Sequence, residues 1–235
     1  MKKTMIEWCD STVNPVVGCT HSCEYCYAMK LNDRFKWIDD WNKPEFFPER
    51  LKQLKSNKSY NIFMNSMSDI ADWEKEWVEA TFKAIHDNPQ NNYLFLTKRP
   101  LYADRFIEND WLEQKNVWFG ATYTGENGRA LEQLLSYGEN CNIFLSIEPL
   151  LDYPALINSN TQDIERIKWI IIGAETGNRK NKVTTKKQWT DKIVEFAMKH
   201  DIPVLMKNSL VEIVGVENMI RDFPKQLEKQ FKNHV

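Results

Sequence analysis

"NVWFGATYTGENGRALEQLLSYGENCNIFLSIEPLL", residues 116–151, holds the pattern that decides the fold. It opens with one apolar run, NVWFGAT (116–122), and reaches a second, NIFLSIE (142–148). Neither alternates apolar with polar residues. A strand buried on both faces reads this way, as in a parallel sheet covered by helices. Between the runs, GENGRALEQLLSYG brings Leu131, Leu134 and Leu135 to one helical face.

The same strand–helix alternation extends in both directions. Upstream lie the runs TVNPVVG (12–18), YNIFMNS (60–66) and NYLFLT (92–97). Downstream lie KWIIIGAE (168–175) and IPVLMKN (202–208). Residues 69–89 place Ile70, Trp73, Trp77, Ala80 and Ala84 on one helical face, with Asp69 as N-cap and Asn88-Pro89 as the stop. Residues 186–201 do the same with Trp189, Ile193, Phe196 and Ala197. From the second run onward, strand starts recur every ~25–35 residues, the size of a βα unit. The expectation is an α/β fold in one domain spanning 1–235. Eight full units take ~250 residues, so a partial parallel (β/α)6-type TIM barrel fits better than a closed one. Residues 29–59 read as a helix, an aromatic loop around Pro44 and Pro48, and a second short helix. Residues 215–235 read as a terminal helical tail.

Composition narrows the function classes. The chain has 235 residues, 42% of them hydrophobic, with nine Trp and twelve Phe. That supports a core independent of disulfides or metal. Net charge is −2, so the global basic excess of a nonspecific nucleic-acid binder is missing. Glu7 and Asp10 interrupt the apolar stretch that a signal peptide would need. No window approaches the ~18 apolar residues of a membrane helix. The expected location is cytoplasmic, where clustered cysteines point to metal or redox chemistry rather than disulfides.

Three of five cysteines cluster in "GCTHSCEYCYA" (18–28): Cys19, Cys23 and Cys26, with Tyr25 before the last. Three thiolates can hold three irons of a cubane and leave the fourth open to a chelating ligand. A structural zinc is the alternative, with Cys9 or His21 as fourth ligand. A third reading is three unrelated buried thiols.

The spacing Cys-x3-Cys-x2-Cys, with an aromatic before the last cysteine, resembles the radical S-adenosylmethionine (SAM) superfamily. Together with NPVVGCTHSCEYCYA, NSMSD, LTKRP, LSIEPLL and IIGAETG, it resembles an uncharacterised radical SAM family common in phages and prophages. More distantly, it is similar to spore photoproduct lyase. The resemblance implies a [4Fe–4S] cluster on Cys19, Cys23 and Cys26, with SAM as second cofactor. It implies hydrogen abstraction from a substrate, with a nucleobase, nucleotide or DNA as the class suggested by the lyase. It also implies a flavodoxin- or ferredoxin-like electron donor.

In a βα barrel, functional residues gather at the C-terminal strand ends, and the odd polar residues fall there. After the second strand come Ser66, Ser68 and Asp69, where the resemblance places the SAM amino group. Asp69 has a plain alternative as helix cap. After the third, Lys98 is the cation expected to pair with the SAM carboxylate. Arg99 is a candidate for a substrate phosphate or carboxylate. After the fourth, Thr122 and Thr124 are candidates for the SAM ribose, and Gly125 and Gly128 precede a helix. Glu148 ends the fifth strand, where a buried carboxylate needs a cationic partner or SAM itself. Glu175, between Gly173 and Gly177, falls in the region expected to line the adenine and ribose pocket. Lys207 and Asn208 follow the seventh strand as substrate candidates. Glu148 and Lys98 are the expected catalytic residues, and the resemblance places Tyr25 beside the adenine and the cluster, with packing in the core as its plain reading. Cys141 is expected at the far end of its strand, buried and inert. The aromatic segment 35–48 either stacks on a base or packs on the body. The competing function class is a zinc- or cluster-stabilised protein that binds nucleic acid or a partner without catalysis.

Overall fold

A computed structural model describes residues 3–21, 23–104, 109–125, 129–137, 140–155 and 163–228. Seven strands form one parallel sheet: β1 (Ser11–Thr12), β4 (Asn61–Phe63), β5 (Asn92–Thr97), β6 (Val117–Thr122), β7 (Asn142–Ile147), β8 (Ile167–Ile172) and β9 (Val204–Met206), side by side in that order. The sheet is curled into a half-barrel. A separate antiparallel ribbon joins β2 (Val16–Val17) to β3 (Glu45–Phe46). Among the described residues no helix is long and apolar enough to cross a membrane.

Both faces of the sheet are buried, which explains the unbroken apolar runs. The outer face carries Ile62, Tyr93, Phe95, Phe119, Ile143, Leu145 and Ile170. Against it pack helices α2 (Lys75–His86), α5 (Arg129–Leu135) and α6 (Lys187–Lys199) through Val78, Phe82, Leu131, Leu134, Ile193 and Phe196, with the short helices α3 (Pro100–Asp104) and α4 (Asn109–Leu112) between β5 and β6. The inner face carries Phe63, Leu94, Trp118, Phe144, Trp169, Ile171 and Leu205, joined by Trp8 and Cys9. Phe144 lies so close to Gly120 that a Cβ there would stand 2.5 Å from its ring. Glycine at that position therefore makes room for the central aromatic.

Three expectations need correction. The run 12–18 is not one strand: Thr12 ends β1, and Val16–Val17 leave the sheet to pair with the ribbon. Pro15, lacking an N–H, sits at the break. The face expected over 69–89 is also out of phase. Asp69 caps a separate 3-10 turn, Ile70–Asp72, and α2 starts only at Lys75. The helical count therefore restarts, and Val78, Thr81, Phe82 and Ile85 are buried while Ala80 and Ala84 are half-buried.

The third correction is the tail. Residues 215–228 are not an α-helix, and 229–235 lie outside the described residues. A 3-10 turn, Val216–Asn218, leads into an extended strap under the inner face. The Met206 N–H donates to Ile220 O, the Asp222 N–H to Val204 O, and Trp169 Nε1 to Asp222 O. Leu227 is fully buried, and Asn61 and Asn92 donate side-chain N–H groups to the carbonyls of Leu227 and Gln226. The strap thus closes the half-barrel at the N-terminal strand ends. Segment 29–59 has its two expected helical pieces, α1 (Tyr27–Phe35) and a 3-10 helix at Pro48–Leu54, but the loop between them carries the ribbon strand β3.

Candidate functional site

With one end closed by the strap, the inner face opens at the other. A cavity of about 970 Å³ lies there, bounded by the cysteine loop, by α1 and by the C-terminal strand ends. Its wall includes Cys19, Cys23, Cys26, Tyr25, Ser66, Ser68, Asp69, Lys98, Thr122, Glu148, Glu175 and Lys207. Most residues singled out in the sequence therefore meet around one space. Arg99, Asn208 and Thr124 are not part of that wall.

The cysteine loop follows the β2–β3 ribbon. Gly18, at φ +111°, lets the chain turn against Pro44, whose Cα would be 2.7 Å from a Cβ there. Cys26 is the N-cap of α1, and its Sγ accepts from the Met29 N–H at 3.3 Å. Cys19 Sγ accepts from the His21 N–H at 3.4 Å. Burial pushes the Cys19 thiol up to about 12. Burial also raises Cys23, with the Lys98 ammonium opposing it. Lys98 Nζ stands 5.8 Å from the centre of the Tyr25 ring. His21 is outside the cavity wall, and Cys9 is buried in the inner cluster beside Trp8. Among the described residues no three His, Cys, Asp or Glu side chains converge tightly enough for a single metal ion.

Two side chains not singled out in the sequence, Asp72 and Arg179, help to pin this loop. Asp72 accepts from the Thr20 N–H at 2.9 Å and from the Thr20 hydroxyl at 2.7 Å. Arg99 pairs with Asp72 at 2.7 Å and also donates to Thr20 Oγ1 at 3.1 Å. Burial pushes the Asp72 carboxyl up, but these hydrogen bonds outweigh it and hold it below its ordinary range. Arg99 is thus a clamp on the loop rather than a group facing the cavity. On the other side, Arg179 donates Nη1 to Glu24 at 2.8 Å, and Nε and Nη2 to Glu175 at 2.7 and 3.0 Å.

Glu175 is buried, and it accepts in addition from the Val183 N–H at 3.0 Å. The Arg179 guanidinium holds its carboxyl below the usual range. Glu148 has the cationic partner that its position demanded: Lys207, reaching over from β9. Its peptide bond to Pro149 is cis. Gly173 lies beneath this pair, and a Cβ there would come within 3.1 Å of Glu148 Cδ.

Asp69 is a structural hub. Its Oδ1 accepts from the Ala71 N–H at 3.0 Å and from the Thr97 hydroxyl at 2.6 Å, and its Oδ2 accepts from the Lys98 N–H at 3.0 Å. The cap reading of Asp69 holds, and the same carboxylate fixes the backbone that carries Lys98. Ser66 donates to Asn14 at 3.0 Å, and Ser68 accepts from Trp73 Nε1 at 3.0 Å. Thr122 and Ser146 are buried at the cavity floor. Asn208 belongs elsewhere: its N–H donates to Glu7 and its side chain accepts from Arg221, tying the N-terminal segment to the tail. Cys141 is buried at the N-terminal side of β7, opposite Glu148, as expected. Gly125, at φ +110°, turns against Asp152, and Gly128 lies outside the described residues.

The aromatic segment divides. Phe46 stacks on Trp77 and packs on the body. Trp41 is buried against the cysteine loop. Trp37 lines the cavity mouth, and Phe35 stacks on it at 5.2 Å. Tyr27, also missed in the sequence, lines the cavity and donates its hydroxyl to Ser66 O at 2.9 Å. An aromatic immediately after the last cysteine was the available signal.

Residues 3–220 match the model of the family described as Protein of unknown function (DUF5131). No curated protein matches the chain.

Proposed function

The chain belongs to the DUF5131 family, and we propose that it is a radical SAM enzyme on a partial (β/α)6 TIM-type barrel. The observation that carries this reading is the meeting of Cys19, Cys23 and Cys26 with Lys98, Glu148 and Lys207 around one cavity. Three thiols lining one cavity suit a cluster that takes three protein ligands and leaves one iron open. When bound, a [4Fe–4S] cluster on those thiolates and SAM would supply a 5′-deoxyadenosyl radical that takes hydrogen from the substrate.

The chain's own groups would do the rest. Cys26, as N-cap of α1, holds its sulfur against the Met29 N–H, and the Lys98 ammonium opposes the burial that raises the Cys23 thiol. Lys98 offers a point charge to the SAM carboxylate, and the backbone hydrogen bond to Asp69 positions it. Glu148 and Lys207 present one carboxylate and one ammonium to a zwitterionic ligand. Thr122 and Ser146 supply hydroxyls at the floor for a ribose. Trp41, Leu31 and Met67 give the cavity an apolar side that limits water. The reductant is an external flavodoxin- or ferredoxin-like protein, and the substrate class is a nucleobase or nucleotide.

The test is anaerobic. The protein is reconstituted with iron and sulfide, reduced, given SAM and assayed for 5′-deoxyadenosine beside Cys23→Ala. Product from the parent alone is the expected result. A loaded cluster without product, with candidate nucleotides present, or tightly held zinc without a cluster, overturns the proposal.

A further inference from the structure

The cavity mouth has a built rim that the reaction at its floor does not use. Helix α1 runs outward from the cysteine loop, and Tyr27, Lys30 and Leu31 form part of the cavity wall. Arg34, three residues beyond Leu31, continues the same helical face. At a rise of about 1.5 Å per residue, Arg34 lies roughly 12 Å along the helix from Cys26. The helix ends at Lys36 in the left-handed region, φ 51°, and this turn sets Trp37 against Phe35. Both rings are exposed, 53% for Phe35 and 40% for Trp37, although they stack on each other. The Arg34 guanidinium sits 5.2 Å from the centre of the Phe35 ring. Among the described residues neither Lys30 nor Arg34 has a carboxylate partner.

Charge points the same way. Residues 27–55 contain seven Lys and Arg against five Asp and Glu, while the whole chain has 31 against 33. The segment that supplies the rim is thus basic and aromatic within an otherwise acidic protein. Arg50 and Gln53 also line the cavity, with Arg50 held by Asn14 O and the Phe47 ring. A partner that stacks flat rings and carries regular negative charge matches this pattern, since aromatic faces accept any base and cations track the backbone.

We propose that the α1 face and the Phe35–Trp37 stack bind single-stranded nucleic acid and direct one unstacked base into the cavity. That the entering base is the substrate rests on the radical SAM reading; the binding itself does not.

The test is fluorescence anisotropy with labelled oligonucleotides of about 12 nucleotides, as single-stranded DNA, single-stranded RNA and duplex DNA of one sequence. Tighter binding to one or both single strands than to duplex is expected, and the DNA and RNA arms identify the source. Phe35→Ala and Trp37→Ala should each weaken single-strand binding about tenfold, the loss of one stacked base. Arg34→Gln should flatten the salt dependence. Phe35 and Arg34 are exposed, so unchanged melting curves separate lost binding from lost folding. No binding at low salt, a preference for duplex, or affinity indifferent to both ring substitutions overturns the inference. A protein ligand at this rim would give the first of these results. If 5′-deoxyadenosine forms but single strands do not bind, only this inference fails. If single strands bind as expected but no 5′-deoxyadenosine forms, only the radical SAM reading fails.

Discussion

Glu148 and Lys207 are each about one-fifth exposed, at 25% and 18% of their side-chain surface. A pair so placed is only partly screened, and removing one partner strands the other in a half-dry wall. Lys207→Met and Glu148→Gln should each destabilise the fold by about 1–3 kcal/mol, and the double variant by less than the sum. Urea unfolding of the four proteins measures that coupling, and strict additivity would deny it. Glu175 makes a pH prediction. Its carboxyl is depressed in the folded state by Arg179. A depressed carboxylate contributes stability above its unfolded value of about 4.3, and that stability is lost as pH falls through the lower folded value. The melting temperature of the parent should therefore drop more between about pH 5 and about pH 3 than that of Glu175→Gln. Parallel curves would count against the pair. The need of Glu148 for a partner was readable from one charged residue ending an apolar run. Arg179 was not, because Glu24 lies 155 positions away and both sit on irregular loops without periodicity.

Elements with continuous apolar runs were legible because burial on both faces leaves few polar interruptions. Strands β5, β6, β7 and β9 fall within the expected runs, β8 starts one residue ahead of its run, and α6 buries three of the four residues expected of it. What failed was phase and continuity. Periodicity across 69–89 merged a capped 3-10 turn with the helix behind it, since Ile70 and Trp73 are apolar for reasons of their own. The tail misled in a similar way. Its Met219, Ile220, Phe223 and Leu227 mimic helical spacing, yet the backbone is spent on Leu205, Met206 and Trp169. A helix satisfies its own N–H and C=O groups, whereas this strap satisfies them on the end of the sheet. Leu227→Ala opens a cavity in a fully buried site and should destabilise the protein by about 2–5 kcal/mol. A cost below about 1 kcal/mol by urea unfolding would mean that the strap is not part of the folded unit.

Across the whole molecule, the cysteine loop is held from two sides by contacts of long sequence separation. Thr20 is tied to the β4–β5 side through Asp72 and Arg99, and Glu24 to the β8 side through Arg179. The two anchors differ in kind. Asp72 and Arg99 are 9% and 21% exposed, while Glu24 is 79% exposed. A shielded pair with an additional backbone hydrogen bond outlasts an exposed ion pair, which salt screens within about 10 Å at 0.1 M. The loop should therefore behave as hinged at Thr20 and latched at Glu24, with the latch opening first. Amide hydrogen exchange should show residues 23–26 exchanging faster in Arg179→Met than in the parent, with residues 18–20 unaffected. Raising salt should move the parent toward the variant. In Arg99→Met residues 18–20 should quicken, because Asp72 then keeps Thr20 without its cation. Equal acceleration of the whole loop by either substitution would show that the two anchors act as one unit. The graded outcome instead fits a cavity whose cysteine wall opens at the Glu24 side while Cys19 keeps its place.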